Sequence, residues 1–111
     1  MDISFADKKL ERACHDWRRL VRTHGHIRAR RITQRLELLR AAHILADVHH
    51  FPGRCHELKG DREGQLAFDL DHPYRLIFVP DHNPVPRKMD GGLDWEGVTA
   101  VIILGVEDYH G

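Results

Sequence analysis

The segment from Cys55 to Val79 constrains the fold most, because it has the pattern of a β-hairpin followed by a central strand. Gly60 and Gly64 flank three charged residues. This composition is typical of a tight turn, since glycine adopts backbone angles that other residues rarely adopt and the charges stay in solvent. The apolar alternation that follows predicts a strand with one buried face, formed by Leu66, Phe68 and Leu70.

A second strand, Tyr74–Val79, is apolar on both faces except for Arg75. Burying a charge without a partner is costly, so Arg75 is expected to face a groove or a carboxylate. Asp69 and Asp108 are the candidate carboxylates. Other basic side chains would join Arg75 on one sheet surface suited to an anion, namely those of His56, Lys59 and Arg62.

Helical periodicity dominates the first 41 residues. Asp7 is a candidate N-cap, and apolar side chains follow helical spacing from Leu10 to Val21 after it. The same spacing recurs at Ile32, Leu36 and Leu39. A break at His24-Gly25-His26 separates the two stretches. The pattern predicts a helical hairpin over about 7–41. Trp17 belongs to its buried stripe, and the exposed side of its second helix carries Arg28, Arg30, Arg31 and Arg35.

The predicted fold class is α+β, in a single domain over 1–111. The helical hairpin packs on a small, mainly antiparallel twisted sheet that spans about 54–107. A short edge strand is expected at 3–5, and an apolar strand at 98–106 is expected to be central, beside Tyr74–Val79. A loop at about 80–97 contains three prolines and a Gly-Gly pair; loops of this length tend to be functional or mobile. Its Trp95 could anchor a protein, stack on a base or cover the core.

Charge is unevenly distributed although the formal net charge is zero. Residues 1–40 contain 11 Lys and Arg against 5 Asp and Glu, whereas residues 41–111 contain 6 against 12. This asymmetry indicates either a polyanionic or acidic protein partner for the basic half, or an ordinary solvated helical face.

Three segments together resemble a known family: Lys59–Gly64, Tyr74–Phe78 and the terminal Asp108-Tyr109-His110. They are similar to the HigB branch of the RelE/ParE superfamily, which comprises killer toxins of bacterial type II toxin-antitoxin systems. The resemblance covers the last half of the chain well and the first half only in its helical pattern. It implies a RelE-like microbial RNase-type fold and a ribosome-dependent messenger RNA endonuclease that inhibits translation. The chain departs from the family at 80–97, where the family has a short turn.

RNA can be cut without a metal when a base activates a ribose 2′-hydroxyl against the adjacent phosphate. An acid must protonate the leaving oxygen, and cations must stabilise the charge that builds on phosphorus. By resemblance, the catalytic candidates are His56, Lys59, Asp108, Tyr109 and His110. Either histidine could be base or acid. Asp108 could be a base or orient an imidazole, and Tyr109 could stack on a base or transfer a proton.

Arginines are the candidates for phosphate and RNA binding, because guanidinium groups contact phosphates through two parallel hydrogen bonds. Those on the sheet are Arg62 and Arg75, and those on the second helix are Arg28, Arg31 and Arg35. The expected partners are a HigA-like antitoxin, the ribosome and messenger RNA, with DNA contacted only through the antitoxin. Two other functions stay open on the same fold, a ParE-like gyrase inhibitor and a non-cleaving suppressor or partner in a killer system.

No cofactor or metal is expected, since the ten histidines do not show the spacing of a zinc site. The two cysteines, Cys14 and Cys55, do not form a disulfide framework. There is no signal-peptide pattern and no apolar run long enough to span a membrane. These features predict a cytoplasmic protein.

Overall fold

A five-stranded mixed sheet forms one layer of the computed structural model, which describes residues 1–108. The strand order is β1-β5-β4-β3-β2. Only β1 and β5 pair in parallel; the other neighbours are antiparallel. The strands are β1 (Asp2–Phe5), β2 (His56–Glu57), β3 (Leu66–Asp69), β4 (Tyr74–Pro80) and β5 (Ala100–Asp108). The prediction of a mainly antiparallel sheet, with β4 and β5 adjacent and β1 at an edge, is confirmed.

The helices form the second layer and contact one face of the sheet. α1 spans Lys8–Cys14, α2 spans Trp17–Ala41, and a 3-10 helix spans Leu45–His50. The core between the layers contains Leu66 and Phe68 of β3, which pair with Phe78 and Leu76 of β4. α2 contributes Leu20, Ala29, Ile32, Leu36 and Leu39 to this core. The α+β class, with helices packed on a sheet, follows from this arrangement.

The first predicted helix is interrupted between α1 and α2. Asp7 caps α1 as predicted, since its carboxylate accepts a hydrogen bond from the backbone N–H of Lys9 at 2.8 Å. However, α1 stops at Cys14 and Asp16 begins a new helix, with its side chain accepting from the N–H of Arg19 at 3.3 Å. A side chain that caps a helix start favours a new helix over continuation of the old one.

The predicted break at Gly25 is present as a kink within α2. Gly25 has φ 80° and ψ 164°, which are not helical angles. The parts of α2 before and after the kink approach each other, because Trp17 borders the same surface pocket as Arg30 and Glu37. The prediction that Trp17 is buried is wrong: its exposed fraction is 45%. Trp17 falls at the first residue of a new helix, where the earlier periodicity no longer holds.

Arg35 is buried, which corrects the prediction that it lies on the exposed side of its helix. Its exposed fraction is 3%. Its Nε–H donates to the backbone carbonyl of Asp69 at 2.9 Å, and Nη1 donates to Oε1 of Gln34 at 2.8 Å. Its guanidinium carbon lies 5.3 Å from the centre of the Phe68 ring. Burial, with repulsion from nearby Arg31, lowers the pKa of Arg35, and Asp69 partly opposes this.

The long loop before β5 packs against the rest of the protein through Trp95. The indole stacks on the His49 ring at 4.1 Å between centroids, and its Nε1–H donates to a carboxylate oxygen of Glu57 at 2.9 Å. The N–H of Ala46 donates to the carbonyl of Trp95 at 3.0 Å. Of the roles considered for Trp95, these contacts and its packing on the core favour that of core cover.

Burial raises the pKa of the Cys14 thiol to about 11 and that of Cys55 to about 12. Both thiols are free, and at neutral pH they are protonated and poor nucleophiles. Among residues 1–108, no helix is long and apolar enough to cross a bilayer.

Replacing Gly53 with alanine should destabilise the fold strongly. Gly53 has φ +112°, and a Cβ there would lie 2.5 Å from Nε of Arg35 and 2.6 Å from the Phe68 ring. Backbone strain and overpacking together should lower the free energy of unfolding by about 3 kcal/mol, measured by urea denaturation. Gly91→Ala is the matched control, because Gly91 has φ +89° but no atom near its Cβ position. Strain alone there should cost about 1 kcal/mol. Equal losses in the two variants would show that the contact with Arg35 is unimportant.

Candidate functional site

The face of the sheet opposite α2 gathers polar and charged side chains from four strands. Side chains at paired positions in neighbouring strands lie on the same face. The register pairs His56 with Ala67 and Ala67 with Ile77, and it pairs Asp69 with Arg75 and Arg75 with Glu107. We call this surface the open face; it consists of His56, Asp69, Arg75 and Glu107, while Ala67 and Ile77 on the same side of the sheet are buried in a small apolar cluster.

Asp69 lies between two arginines on the open face. Nε of Arg54 is 3.0 Å from Oδ2 of Asp69, and Nε of Arg75 is 3.2 Å from Oδ1. The exposed fractions of the Arg75 and Asp69 side chains are 18% and 28%. Arg75 therefore contacts the carboxylate of Asp69. This agrees with the prediction that a charged side chain in a central strand faces a groove or a carboxylate.

Arg62 reaches the open face from the turn between β2 and β3. This turn contains a short 3-10 helix, Gly60–Arg62. Nε of Arg62 donates to Oε1 of Gln65 at 2.8 Å, and Nη2 contacts a carboxylate oxygen of Glu107. The Glu107 carboxylate thus holds the guanidinium over β5, close to the position of Arg75.

His56 is partly exposed on β2, and its ring is oriented by the backbone. Nδ1 lies 2.7 Å from the carbonyl oxygen of Arg54. Because a carbonyl oxygen can only accept a hydrogen bond, Nδ1 carries the hydrogen and donates it. In the neutral ring, Nε2 then holds the lone pair and can accept a proton. This is the tautomer that a general base acting through Nε2 requires.

Lys59 is exposed and precedes the 3-10 helix of the same turn. It borders a shallow pocket together with Glu57, Leu58, Gly60 and Glu63. The structure therefore places Lys59 at the edge of the sheet, in the turn that also carries Arg62.

Asp108 does not join His56 on the open face. It pairs with Tyr74, one residue beyond the pair of Glu107 with Arg75. Since successive side chains of a strand point to opposite faces, the backbone directs Asp108 to the face that carries Tyr74 and Leu76. Tyr109 and His110, the other C-terminal candidates, lie outside the residues that the structure describes.

Arg28 belongs to an internal cluster on the helical side of the sheet. Its Nε and Nη2 donate to the two carboxylate oxygens of Asp71, each at 3.1 Å. Its guanidinium carbon lies 3.3 Å from the centre of the Tyr74 ring. Arg28 is thus committed to a bidentate ion pair and a cation–π contact. Of the three helical arginines predicted to bind RNA, Arg28 and Arg35 have internal partners, and Arg31 is exposed.

Sequence reasoning missed Arg54 and Glu107, which complete the charge pattern of the open face. Glu107 had a detectable signal, because it directly follows the strand predicted at 98–106 and continues its alternation two residues after Gly105. Arg54 had none: it lies before β2 with a positive φ of 48°, and only the fold brings it to Asp69. Within residues 1–108, no group of three or more His, Cys, Asp or Glu side chains could hold a metal ion.

The open face therefore combines a proton acceptor with anion-binding groups. His56 presents an imidazole nitrogen, and Arg62 and Arg75 present guanidinium groups oriented by carboxylates. Guanidinium groups keep several N–H donors, so an arginine with one carboxylate partner can still bind a phosphate oxygen. Such a surface can bind an anion and remove a proton next to it.

No protein-family model matches the chain, and no curated protein sequence matches it either. Among solved structures, a chain of the "YoeB-YefM complex from Staphylococcus aureus" has a similar fold. The TM-score is 0.57 at 16% sequence identity, and the match covers 100% of this chain and 98% of that one. At this identity the likeness establishes the fold alone, over the whole of this chain and nearly the whole of the other.

The stability of the protein should fall in mild acid because of His24, next to Arg28. Burial lowers the pKa of His24, repulsion by Arg28 lowers it further, and Asp71 partly opposes them. The unfolded chain, with a histidine pKa of about 6.5, then binds a proton more readily than the folded one. The contribution of His24 to the free energy of unfolding should be fully present above pH 6.5 and should be lost as the pH falls from 6.5 toward the lower pKa of the folded state.

Urea denaturation at pH 7.5 and pH 5.5 measures this dependence on pH. His24→Gln should reduce the difference in unfolding free energy between the two pH values. The same change at His50, an exposed histidine, is the control and should preserve the difference. An undiminished difference in the His24→Gln variant would contradict the assignment.

Proposed function

We propose that this protein is the toxin of a type II toxin-antitoxin system and that it cleaves messenger RNA on the ribosome. The observation that carries the proposal is the placement of His56 with Arg62 and Arg75 on the open face of the sheet. The fold supports it, because the similar chain belongs to a toxin-antitoxin complex. The sequence resemblance to the HigB branch supports the same class of protein independently.

In the proposed reaction, Nε2 of His56 removes the proton of a ribose 2′-hydroxyl. The 2′-oxygen then attacks the adjacent phosphorus, the bond from phosphorus to the 5′-oxygen breaks, and a 2′,3′-cyclic phosphate forms. Arg62 and Arg75 stabilise the charge on the non-bridging oxygens, where preorganised cations are most effective. Lys59 adds positive charge from the neighbouring turn.

The leaving 5′-oxygen needs a proton, and we assign it to Tyr109 or His110. Both follow Asp108 directly at the end of β5. Because the register directs Asp108 away from His56, its proposed role is to position the residues after it. The protein partner is an antitoxin, for which the sequence resemblance favours the HigA-like class, and the site of action is the bacterial cytoplasm.

A second candidate function is that of a non-cleaving binding protein on the same fold. The observation in its favour is that three arginines at the open face, Arg54, Arg62 and Arg75, each contact a carboxylate. These carboxylates reduce the positive charge that a catalytic surface for RNA would use. A gyrase inhibitor or a killer-system suppressor would not need that charge.

Mapping messenger RNA 5′ ends after brief expression in bacteria distinguishes the two functions. The wild-type chain should create new ends in codon register inside coding sequences. His56→Ala should reduce their number by a factor of about 10² to 10⁴, the usual contribution of a general base. His43→Ala is the control, because His43 is exposed after α2 and lies outside the sheet.

Each outcome of the mapping has a defined meaning. Growth arrest without new ends would favour the binding protein and reject the nuclease. New ends that persist in the His56→Ala variant would reject His56 as the base while leaving cleavage in place.

Glu107→Gln should strengthen the binding of RNA to the open face. The substitution removes the carboxylate that contacts Arg62 and leaves the guanidinium available to a phosphate. An exposed ion pair is worth about 1 kcal/mol at most, so affinity should rise by up to about 5-fold. Fluorescence anisotropy with a labelled oligouridine measures it at fixed salt. Glu63→Gln, in the exposed turn, removes the same charge without breaking the pair with Arg62. An equal gain in both variants would show that only net charge matters.

A further inference from the structure

The arginines of this protein differ in whether a carboxylate neutralises their charge. A carboxylate lies within 4 Å of four arginines that contact the sheet or its turns, namely Arg28, Arg54, Arg62 and Arg75. Five exposed arginines of α2 have no such partner among residues 1–108, namely Arg18, Arg22, Arg30, Arg31 and Arg40. The unneutralised positive charge of the described chain therefore includes a surface on α2, away from the open face.

Part of this surface has the geometry of a docking site. Ile27, Arg30, Arg31 and Gln34 follow the spacing i, i+3, i+4, i+7, so they lie along one face of the helix after the kink. Trp17 lies beside this row: its ring contacts His26 at 6.1 Å between centroids, and it borders a surface pocket of about 310 Å³ together with Arg30 and Gln34. We call Trp17, Ile27, Arg30, Arg31 and Gln34 the helical patch.

Two large apolar side chains of the helical patch are in contact with solvent. The exposed fraction is 45% for Trp17 and 69% for Ile27. Among residues 1–108, the one other large apolar side chain that is exposed is Met89, in the loop before β5. Tryptophan and arginine are the residues that most often dominate the binding energy of protein interfaces, and here they are adjacent.

We propose that the helical patch binds an acidic amphipathic segment of the antitoxin. This inference rests on the proposed function, since it takes the partner from it. An apolar side chain of the segment would cover Trp17 and Ile27, and its carboxylates would pair with Arg30 and Arg31. The uneven charge of the chain agrees with an acidic partner, since the first 40 residues have 11 basic and 5 acidic side chains.

An acidic protein segment fits the helical patch better than RNA does. Ile27 has no aromatic face on which a base could stack, and its exposed surface gains only from apolar contact. Glu37 borders the pocket beside Trp17, and its carboxylate can accept a hydrogen bond from a peptide N–H of the segment. The sequence predicted RNA contact for Arg31; in this proposal Arg31 contacts the protein segment instead.

The test uses the full chain and the protein encoded by the gene next to it as the antitoxin. In a Trp95→Phe background Trp17 is the sole tryptophan, so its emission reports directly on the helical patch. Binding should shift the emission to shorter wavelength, since the partner removes the indole from water. Calorimetry should give the Trp95→Phe chain the same affinity as the wild type.

Variants identify the contacts by calorimetry. Trp17→Ala should weaken antitoxin binding by about 30-fold or more, as expected for a hot-spot residue. Ile27→Asp should have an effect of similar size, because it removes apolar surface and repels acidic side chains. Arg30→Ser should weaken binding by about 5-fold or more. Met89→Ala and Arg87→Ser are the controls of matched chemistry, since both residues are exposed in the loop before β5.

An unchanged Trp17 emission with unchanged affinities in the variants would overturn the proposal, and so would the absence of antitoxin binding to the wild-type chain. Loss of oligouridine binding in the Trp17→Ala variant, with antitoxin binding intact, would assign the helical patch to RNA instead. Failure of the nuclease function is read separately, as the absence of new messenger RNA ends. The Trp17→Ala variant should still produce those ends in cells that lack the antitoxin.

Discussion

The buried guanidinium of Arg35 joins the two layers of this protein. It donates to the backbone carbonyl of Asp69 at the end of β3, while the side chain of Asp69 pairs with Arg54 and Arg75 on the other side of the sheet. Asp69 is therefore bonded to the helical layer through its backbone carbonyl and to the arginines of the open face through its carboxylate. A buried cation is tolerated only when its hydrogen bonds are made, so this connection restricts how α2 can sit on the sheet.

Gly53 completes the arrangement because it leaves room for the guanidinium. A side chain there would collide with Arg35 and Phe68, and the carbonyl of Gly53 accepts the N–H of Asp69 at 2.7 Å. The segment before β2 is thereby held against the end of β3. Arg54 follows in the chain, and its carbonyl orients the His56 ring. Packing around Arg35 thus extends, through consecutive contacts, to the residue that we propose as the catalytic base.

Much of the fold was predictable because strands and helices leave periodic patterns that depend on local residues alone. The errors arose where a single side chain overrides the pattern. Arg35 stands three residues after Ile32 and one before Leu36, on the buried stripe, but its charge suggested exposure. Asp16 starts a new helix through its cap, so the apolar spacing that runs through it did not bury Trp17.

The sequence by itself determined the strands, the helical segments, the break at Gly25 and the residue types available for chemistry. Only the tertiary structure decided which of these residues meet. A strand directs its side chains to alternate faces, so the pairing register separates Asp108 from His56 and aligns Arg75 with Glu107. Register and ion pairing join residues far apart in the chain, such as Arg62 and Glu107, and no local pattern encodes such contacts.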